Sequence, residues 1–389
     1  MSTNLIDLTK KLIRRKSITP ADDGALNVIK NKVSKIGFVN KDLPFGTLKD
    51  EDLILNLYSI KKVNRKKNAS SKTLCFAGHT DVVPAKDADK WKFKPFSATV
   101  DKNKIYGRGA SDMKGAIAAW IIACEETIKE YELNISLAMI ITGDEEGLAK
   151  NGTKKMVKWL KKQKIKIDHC LVGEPTNPNL IGDMIKVGRR GSLSMEIVIN
   201  GKSGHVAYPH LAKNPLNETI KICDSIKKVK FSKKVFNFPQ SNLEITSIDT
   251  GNKTSNVIPG SCKVSLNIRY NTAYTELDIL NKIRSICKKY SSSYSLKIIS
   301  SNNPFYTKPE KFTDIVSASV KKITGKTPLL STTGGTSDAR FIKDICPVIE
   351  FGGVGKTMHQ TNEHIFIKDL DNLKNIYKDL IISYNNFYG

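Results

Sequence analysis

The sequence predicts an α/β protein into which a separate α+β unit is inserted. Three apolar runs, at residues 73–77, 135–142 and 170–172, have the length and composition of buried strands. Two helix-length segments, at 113–131 and 154–162, carry apolar residues at helical spacing and follow the first and second of these runs. Strands that alternate with helices are typical of a layered α/β domain.

The pattern changes at about residue 191. The run SLSMEIVIN alternates like a half-buried strand, and a helix at 214–228 and strands at 243–247 and 262–269 follow it. The α/β pattern returns after about residue 301, with helices at 314–324 and 369–384. We therefore predict one catalytic domain built from 1–190 and 302–389, with an inserted domain at 191–301.

The N-terminus and the cysteines indicate a cytoplasmic protein. No run approaches the roughly 18 apolar residues of a membrane-spanning helix, so no membrane association is expected. The first residues carry charges where a signal peptide needs an apolar run, and they are instead typical of an amphipathic helix with Leu5, Leu8, Leu12 and Ile13 on one face. The 7 cysteines include no Cys-x-x-Cys spacing, which fits a reducing compartment.

The formal net charge of +25 is the one unusual global property. Such a charge is compatible with binding to nucleic acid or to an anionic membrane. The lysines are nevertheless scattered, with modest clusters at 61–67 and 154–166, and no zinc finger or RNA-recognition signature accompanies them. We expect a lysine-rich solvated surface and no nucleic-acid partner, with steering of a small anionic substrate as a compatible effect.

Acidic and imidazole side chains follow each of the three predicted strands. In open α/β sheets, ligands bind beyond the carboxyl ends of the strands. A single acid in such a place is usually a helix cap, but several together predict a shared site. We expect Asp112 to open the long helix beside this edge. The residues concerned are His79, Asp81, Asp112, Glu145, Glu146 and Glu174.

This set of side chains predicts a metal centre. Several carboxylates and a histidine on one buried rim would repel one another without a cation between them. A nitrogen and oxygen donor set without cysteine suits zinc, with cobalt or manganese as substitutes. His359 offers a second imidazole, and a bridging carboxylate would hold two ions about 3.5–4 Å apart to activate water. Of the neighbours Glu145 and Glu146, one would bind metal and the other act as general base.

The motifs that carry these residues resemble the co-catalytic zinc deacylase and carboxypeptidase superfamily, and within it the desuccinylase branch. The resemblance extends from about residue 5 to 370. The HTD, D-x-K-G and EE elements are shared across the superfamily, whereas HVAYPHLAKNP and GGTSDARF are more specific to the desuccinylases. The matching segments are GHTDVVP, GRGASDMKG, GDEEG, GEPT, GRRGSL, GHVAYPHLAKNP, TSNVIPG, GGTSDARF and the final histidine of the site.

The resemblance implies a zinc-peptidase-like catalytic domain, with a mixed sheet between helices, that binds two zinc ions per subunit. One ion would be held by His79, Asp112 and Glu174. The other would be held by Asp112, Glu146 and His359, with Asp112 bridging the two. The resemblance further implies a cis peptide bond between Asp112 and Met113.

Further catalytic roles are also implied by the resemblance. Asp81 would be the carboxylate that fixes the tautomer of the His79 imidazole. Glu145 would take the proton of the attacking water and return it to the leaving amine. The inserted domain would be a ferredoxin-like lid that also forms a homodimer. His205, on this domain, would then stabilise the oxyanion in the active site of the partner subunit.

The implied reaction is hydrolysis of N-succinyl-LL-2,6-diaminopimelate to succinate and LL-2,6-diaminopimelate, a step of lysine and diaminopimelate biosynthesis. This substrate carries three carboxylates, and arginine holds a carboxylate with two parallel hydrogen bonds that lysine does not reproduce. The candidate substrate-binding residues are Arg189, Arg190, Tyr208, Asn256, Arg269 and Thr336.

Two alternatives stay open at this point. One is a sister hydrolase, such as an acetylornithine deacetylase or a metallocarboxypeptidase. The other is a non-catalytic protein that binds metal or polyanions, although a free Glu145 beside a full ligand set argues against it. Two positions depart from the family pattern: Ala339 replaces a usual glycine, and Gly355 stands where an asparagine is expected.

Overall fold

The computed structural model describes residues 3–63 and 71–389. These residues fall into two compact units. Unit 1 is drawn from Met1–Val187, Thr307–Ser331 and Ser337–Gly389, and unit 2 from Gly188–Tyr306 and Thr332–Thr336. The sequence division at residues 191 and 301 does not contain the return at Thr332–Thr336. Thr336, expected in the second part of the catalytic domain, therefore lies in unit 2.

Within the described residues the helices are α1 Thr3–Ile13, α2 Ala25–Ser34, α3 Gly115–Glu130, α4 Thr153–Lys162, α5 Pro215–Lys227, α6 Glu276–Tyr290, α7 Lys311–Thr324, α8 Ala339–Ile342 and α9 Ile367–Tyr388. The strands are β1 Val39–Asp42, β2 Leu57–Lys61, β3 Thr73–His79, β4 Thr99–Asp101, β5 Lys104–Tyr106, β6 Ser136–Thr142, β7 His169–Val172, β8 Met184–Lys186, β9 Gly188–Arg189, β10 Gly191–Asn200, β11 Gly204–His205, β12 Asn242–Asp249, β13 Val257–Ile258, β14 Ser261–Tyr270, β15 Tyr294–Asn302, β16 Phe305–Tyr306, β17 Leu329–Ser331, β18 Val348–Glu350 and β19 His364–Phe366. In the part of the chain that is described, no helix combines the length and the apolar character needed to span a bilayer.

Unit 1 is built on a mixed sheet in the order β1-β2-β6-β3-β7-β18-β8-β17. Its centre is parallel, because β3 pairs in parallel with both β6 and β7, and β7 pairs in parallel with β18. β6 is buried along its whole length, as expected for a strand covered on both faces. The predicted α/β class and mixed sheet are confirmed. The short strands β8, β17 and β18 had no periodic sequence signal.

Helices α3 and α9 pack against each other beside this sheet and position its central strands. α3 is buried nearly all round, which is typical of a helix enclosed in a core. Trp120 of α3 stacks on Phe76 of β3 with ring centroids 4.9 Å apart. Tyr377 of α9 meets both rings edge-on, at 5.8 and 5.6 Å. This aromatic cluster anchors the strand that ends at His79.

Unit 2 contains the succession β10-α5-β12-β14-α6-β15. Its strands form an antiparallel sheet in the order β12-β14-β10-β15, which is the ferredoxin-like arrangement. Helix α6 was not predicted, although Thr275 and Asp278 form a capping box at its start. The use of this unit as a lid or a dimerisation surface stays a prediction.

Candidate metal centre

Three neighbouring parallel strands deliver three of the predicted ligands, and Glu145, to one edge of the unit 1 sheet. β3 ends at His79, which lies opposite Thr142, the last residue of β6. The turn after β6 carries Glu145 and Glu146, and Glu174 follows the end of β7. Because the strands run in register, their ends coincide, and the side chains that follow them come together.

Asp112 reaches this edge from a wide helical turn, Ala110–Lys114, that precedes α3. Its backbone is not helical (φ −125°, ψ 97°), and α3 begins only at Gly115. The expectation that Asp112 opens the long helix is therefore wrong, since a separate turn presents the side chain. The peptide bond between Asp112 and Met113 is cis, as the resemblance implied.

The two carboxylate oxygens of Asp112 face two different imidazoles. Oδ1 lies 3.2 Å from Nε2 of His79, and Oδ2 lies 3.2 Å from Nε2 of His359. Glu174 flanks the first imidazole at 3.6 Å, and Glu146 flanks the second at 2.7 Å. Within each of these two groups, one ligand atom per residue lies within 4.8 Å of the others. This donor set suits two cations that share Asp112.

The pKa shifts of the cluster also indicate a cation site. Burial alone would lower the pKa of His79, but the hydrogen bond and charge of Asp112 raise it well above its usual value. Hydrogen bonds to Asp112 and Glu146 raise the pKa of His359 to about 10. Burial opposes ionisation of Asp112, yet the two imidazoles hold its pKa below the usual range. The carboxylates thus require positive charge, which protons supply here and metal ions would supply instead.

Asp81 makes contacts that differ from the expected ones. Nδ1 of His79 donates to the backbone carbonyl of Asp81 at 2.9 Å, whereas the Asp81 carboxylate lies 3.6 Å away. That carboxylate instead accepts hydrogen bonds from the Thr19 hydroxyl at 2.7 Å and from the amides of Glu146 at 2.9 Å and Glu145 at 3.3 Å. The carbonyl therefore orients the imidazole, and the carboxylate holds the turn of the paired glutamates.

Glu145 and Glu146 occupy different positions relative to the cluster. Glu146 forms a group with Asp112 and His359, whereas Glu145 groups only with His79 and Glu146. Burial and the negative charge of Glu174 raise the pKa of Glu145 well above its usual value. A carboxylate with a raised pKa beside a ligand set is suited to accept and return a proton.

Within unit 2 the structure brings His205, Tyr208 and Asn256 together. The Val206 amide donates to the Asn256 carbonyl at 3.0 Å, and the ring centroids of His205 and Tyr208 lie 5.9 Å apart. The amide of Ala207 donates to Nδ1 of His205 at 3.1 Å. In the neutral ring the proton therefore sits on Nε2, which makes that nitrogen a hydrogen-bond donor.

The predicted arginines also lie in unit 2. Arg190 donates from Nη1 to the Gln240 carbonyl at 3.0 Å and to the side chain of Asn242 at 2.8 Å. Burial and the charge of Arg269 lower the pKa of Arg190, so the two guanidinium groups lie near each other. Across residues 3–63 and 71–389, neither of these two arginines forms an ion pair with a carboxylate.

The remaining two candidates lie in the same unit. Arg189 is buried and contacts the carbonyl of Thr333 at 3.5 Å, a weak hydrogen bond by its length. Thr336 is half-buried at the end of Thr332–Thr336. The segment that returns to unit 2 therefore meets Arg189 at Thr333.

The two departures from the family pattern have local structural reasons. Ala339 is the first residue of α8 and is buried, and its backbone is not in the left-handed region, so glycine is not required there. At Gly355 an added Cβ would lie 2.8 Å from the carbonyl oxygen of Pro175. Asparagine at 355 would therefore require the backbone that follows Glu174 to shift.

Three residues that support the ligands were not predicted from the sequence, namely Thr19, Arg108 and Glu363. Thr19 contacts the Asp81 carboxylate, and Glu363 accepts a hydrogen bond from the amide of Asp112 at 3.2 Å. Arg108 and Glu363 could have been found, because each is a charged residue in the same short motif as a ligand. Arg108 lies in GRGASDMKG with Asp112, and Glu363 lies in KTMHQTNEH with His359. Thr19 stands in no such motif and gave no comparable signal.

Comparison with known proteins places this geometry in a family. The model of Peptidase family M20/M25/M40 matches residues 75–383. The succinyl-diaminopimelate desuccinylase of Pelagibacter ubique is 48% identical over 386 residues, which cover 98% of this chain and 99% of that protein. The protein of the same name from Ehrlichia chaffeensis is 46% identical over 387 residues, with 99% of each chain covered.

Solved structures share the fold at low sequence identity. An M20-family metallo-carboxypeptidase from Sulfolobus solfataricus has a TM-score of 0.78 at 20% identity, covering 99% of this chain and 100% of that chain. A Bacillus subtilis protein described as a dinuclear metal-binding peptidase of the M20 family has a TM-score of 0.70 at 15% identity, covering 98% of this chain and 97% of that chain. The match to the family model and the near-full-length relatives together show that the chain belongs to peptidase family M20/M25/M40.

Proposed function

We propose that this chain is a two-zinc amide hydrolase that cleaves N-succinyl-LL-2,6-diaminopimelate to succinate and LL-2,6-diaminopimelate. The observation that carries the proposal is Asp112, whose two oxygens each lie 3.2 Å from a different histidine. The choice of substrate is supported by relatives that are 42–48% identical over nearly their full length and are named for this reaction.

Two groups of residues would hold the metal ions. The first consists of His79, Asp112 and Glu174, and the second of Asp112, Glu146 and His359. Their nitrogen and oxygen donors suit zinc, with cobalt or manganese as substitutes. When bound, the ions would supply Lewis acidity that polarises the amide carbonyl and lowers the pKa of the attacking water.

Glu145 is the proposed general base. Its carboxylate would accept a proton from the attacking water and return that proton to the nitrogen of the leaving amine. The raised pKa of Glu145 favours this exchange, because a base must also be able to act as an acid. The Asp81 carboxylate accepts a hydrogen bond from the Glu145 amide at 3.3 Å and would keep the base in place.

Unit 2 would supply recognition of the substrate. Arg190 and Arg269 are cations without a carboxylate partner among the described residues, so they can pair with carboxylates of the succinylated substrate. His205 would donate from Nε2 to the oxyanion that forms at the amide carbon. Arg189, Tyr208, Asn256 and Thr336 would complete this set.

Quaternary structure and location form part of the proposal. We propose a homodimer formed through residues 191–301, in which His205 of each chain serves the active site of the other. We also propose a cytoplasmic location, which agrees with seven free cysteines that are all buried.

A hydrolysis assay tests the proposed reaction directly. Purified protein is incubated with zinc and N-succinyl-LL-2,6-diaminopimelate, and succinate and free amine are measured. We expect turnover that a chelator abolishes and that added zinc restores, with much slower hydrolysis of N-acetylornithine. Preferred cleavage of the acetyl substrate would identify a sister deacylase. No amide hydrolysis by the zinc-loaded protein would overturn the proposal.

A further inference from the structure

A buried ion pair lies directly behind the candidate metal centre. Nη1 of Arg108 is 2.7 Å from Oε2 of Glu363, and both side chains are almost fully enclosed, with 4% and 0% of their area exposed. Two charges removed from water are costly, and such a pair is weak support for stability on its own. The contacts that these two side chains make suggest another role.

Glu363 fixes the backbone that presents the bridging aspartate. Its Oε1 accepts hydrogen bonds from the amide of Ser111 at 3.0 Å and from the amide of Asp112 at 3.2 Å. Its own backbone carbonyl accepts from the amide of Gly107 at 2.9 Å. Glu363 therefore holds the wide turn before α3 at Ser111 and Asp112, and it holds the chain just before that turn at Gly107. The backbone of Asp112 cannot move away without breaking these bonds.

Arg108 fixes the backbone that presents the second imidazole. Its guanidinium donates to the carbonyl of Gln360 at 3.3 Å and to the carbonyl of His359 at 3.4 Å. His359 has a positive φ of 61°, a left-handed backbone conformation that is uncommon for residues with a side chain. The ring of Trp91 lies 5.2 Å from the guanidinium carbon and covers it.

We infer that Arg108 and Glu363 form a positioning clamp for the metal centre, an inference that rests on the proposed function. The clamp joins two segments of the chain that are far apart in sequence and that carry Asp112 and His359. Apart from their own ion pair, the side-chain hydrogen bonds of both residues run to backbone atoms of these two segments, so the residues act through the ligands.

The clamp acts unequally on the two metal sites. In the site of Asp112, Glu146 and His359 it holds the backbone of two ligands out of three. In the site of His79, Asp112 and Glu174 it holds only that of Asp112. Loosening the clamp must therefore weaken the His359 site more than the His79 site.

Zinc titration of the metal-free protein tests this asymmetry. Glu363→Gln keeps the shape of the side chain but turns an amide donor or an uncharged oxygen toward Arg108, so the clamp opens. We expect binding at the His359 site to weaken about 10–100-fold, as is usual when the partners of ligands are lost, while the other site changes at most about threefold. Calorimetry measures both events, and the Glu146→Ala variant shows which event belongs to the His359 site.

Cobalt provides a second readout that does not depend on activity. In the cobalt-loaded protein, visible absorption reports coordination geometry, and we expect the band of the His359 site to change in Glu363→Gln. The matched control is Glu126→Gln, which removes a partly buried ion pair with Lys374, 3.1 Å long, in the same unit. This control must bind zinc like the wild type.

Arg108→Lys keeps the inference testable if Glu363→Gln does not fold. Lysine retains the positive charge beside Glu363 but cannot reach the carbonyls of Gln360 and His359 together. We expect a smaller weakening, confined to the His359 site. Folded variants with two unchanged binding events, or with equal losses at both sites, would overturn the inference. A wild-type protein that binds no zinc would instead overturn the proposed function, so the two failures are distinguishable.

Discussion

The candidate metal centre of unit 1 and the recognition residues of unit 2 differ in the charges of their side chains. In unit 1, acids and imidazoles of opposite charge are packed together at the end of a parallel sheet, where His79 is buried and His359 is 46% exposed, and each imidazole lies beside a carboxylate oxygen. In unit 2, Arg190 and Arg269 are cations placed near each other, and His205 is an exposed donor. The first arrangement is suited to hold cations permanently, and the second to receive an anion that comes and goes.

The difference extends to the backbone. The metal-centre side chains follow rigid central strands or are held by buried hydrogen bonds, as with Glu363 and the amide of Asp112. His205 lies on the two-residue strand β11, and Tyr208 is 57% exposed in the loop that follows. Groups that must present a fixed geometry to metal ions are thus held by the strands and backbone hydrogen bonds of unit 1, whereas His205 and Tyr208 of unit 2 are exposed.

The largest effect is expected from a substitution that removes the general base and leaves the metal ligands in place. Glu145→Gln should lower kcat about 10²–10⁴-fold, because the base is lost while the ligand set remains. Metal analysis should still find both ions in this variant. Glu146→Ala is the matched comparison and should lose or weaken one ion. A near-normal rate in Glu145→Gln would show that the base lies elsewhere.

The core of this arrangement was predictable from the sequence. The runs that became β3, β6 and β7 are almost entirely apolar, so their strand character and burial could be inferred. Once these strands are parallel neighbours, the residues after them must meet, which is why Glu145 and Glu174 were found. The cis peptide bond at Asp112, by contrast, came from the family resemblance and not from any local pattern.

Other features could not be predicted because they depend on partners that are distant in sequence. The approach of Glu363 to the amide of Asp112 joins residues 251 positions apart. The contact of the Asp81 carboxylate with the Glu145–Glu146 turn depends on the register of β3 and β6. The return of Thr332–Thr336 to unit 2 was not predicted, so Thr336 was expected with the second part of the catalytic domain, whereas it groups with unit 2.

A second test addresses the recognition residues of unit 2. Arg190→Met should lower kcat/KM for the succinylated substrate about 10–100-fold, since a hydrogen-bonded ion pair with a carboxylate is lost. The effect should lie mainly in KM, and the metal content should not change. Arg284→Met, an exposed arginine on α6 of the same unit, is the matched control and should behave like the wild type. Equal losses in both variants would point to a general effect of charge.

A third test measures how zinc binding depends on pH, which should involve His359 of unit 1 and not His205 of unit 2. His359 has a pKa of about 10 in the metal-free protein, so its imidazole is protonated at pH 7 and must lose that proton to bind metal. Zinc affinity should therefore rise with pH as long as the pH is below that pKa. For each proton that binding releases, the affinity should rise about tenfold per pH unit. Calorimetry in buffers of different ionisation enthalpy counts the protons. His205→Ala should not alter the count, and binding that is independent of pH would contradict the assignment of His359 as a ligand.

The smallest expected effect is the most specific, and it concerns whether the two regions of one chain serve the same active site. If His205 acts in the partner's site, two inactive variants should complement each other. A heterodimer of His205→Ala and Glu145→Gln chains would contain one site with both groups intact and one site with neither. Such heterodimers should show about half of the wild-type activity, because a two-fold dimer has two equivalent sites.

The control for this experiment is subunit exchange, which must be demonstrated with differently tagged chains before activity is compared. Each variant alone should stay nearly inactive at the same total concentration. Recovery in the mixture, and in neither variant alone, would place the donor and the base of a working site on different chains. If exchange occurs and no activity returns, His205 either serves its own chain or takes no part in catalysis. In the first case the metal centre and the His205 donor of one chain would form one complete site. In the second case the oxyanion donor would have to be another residue.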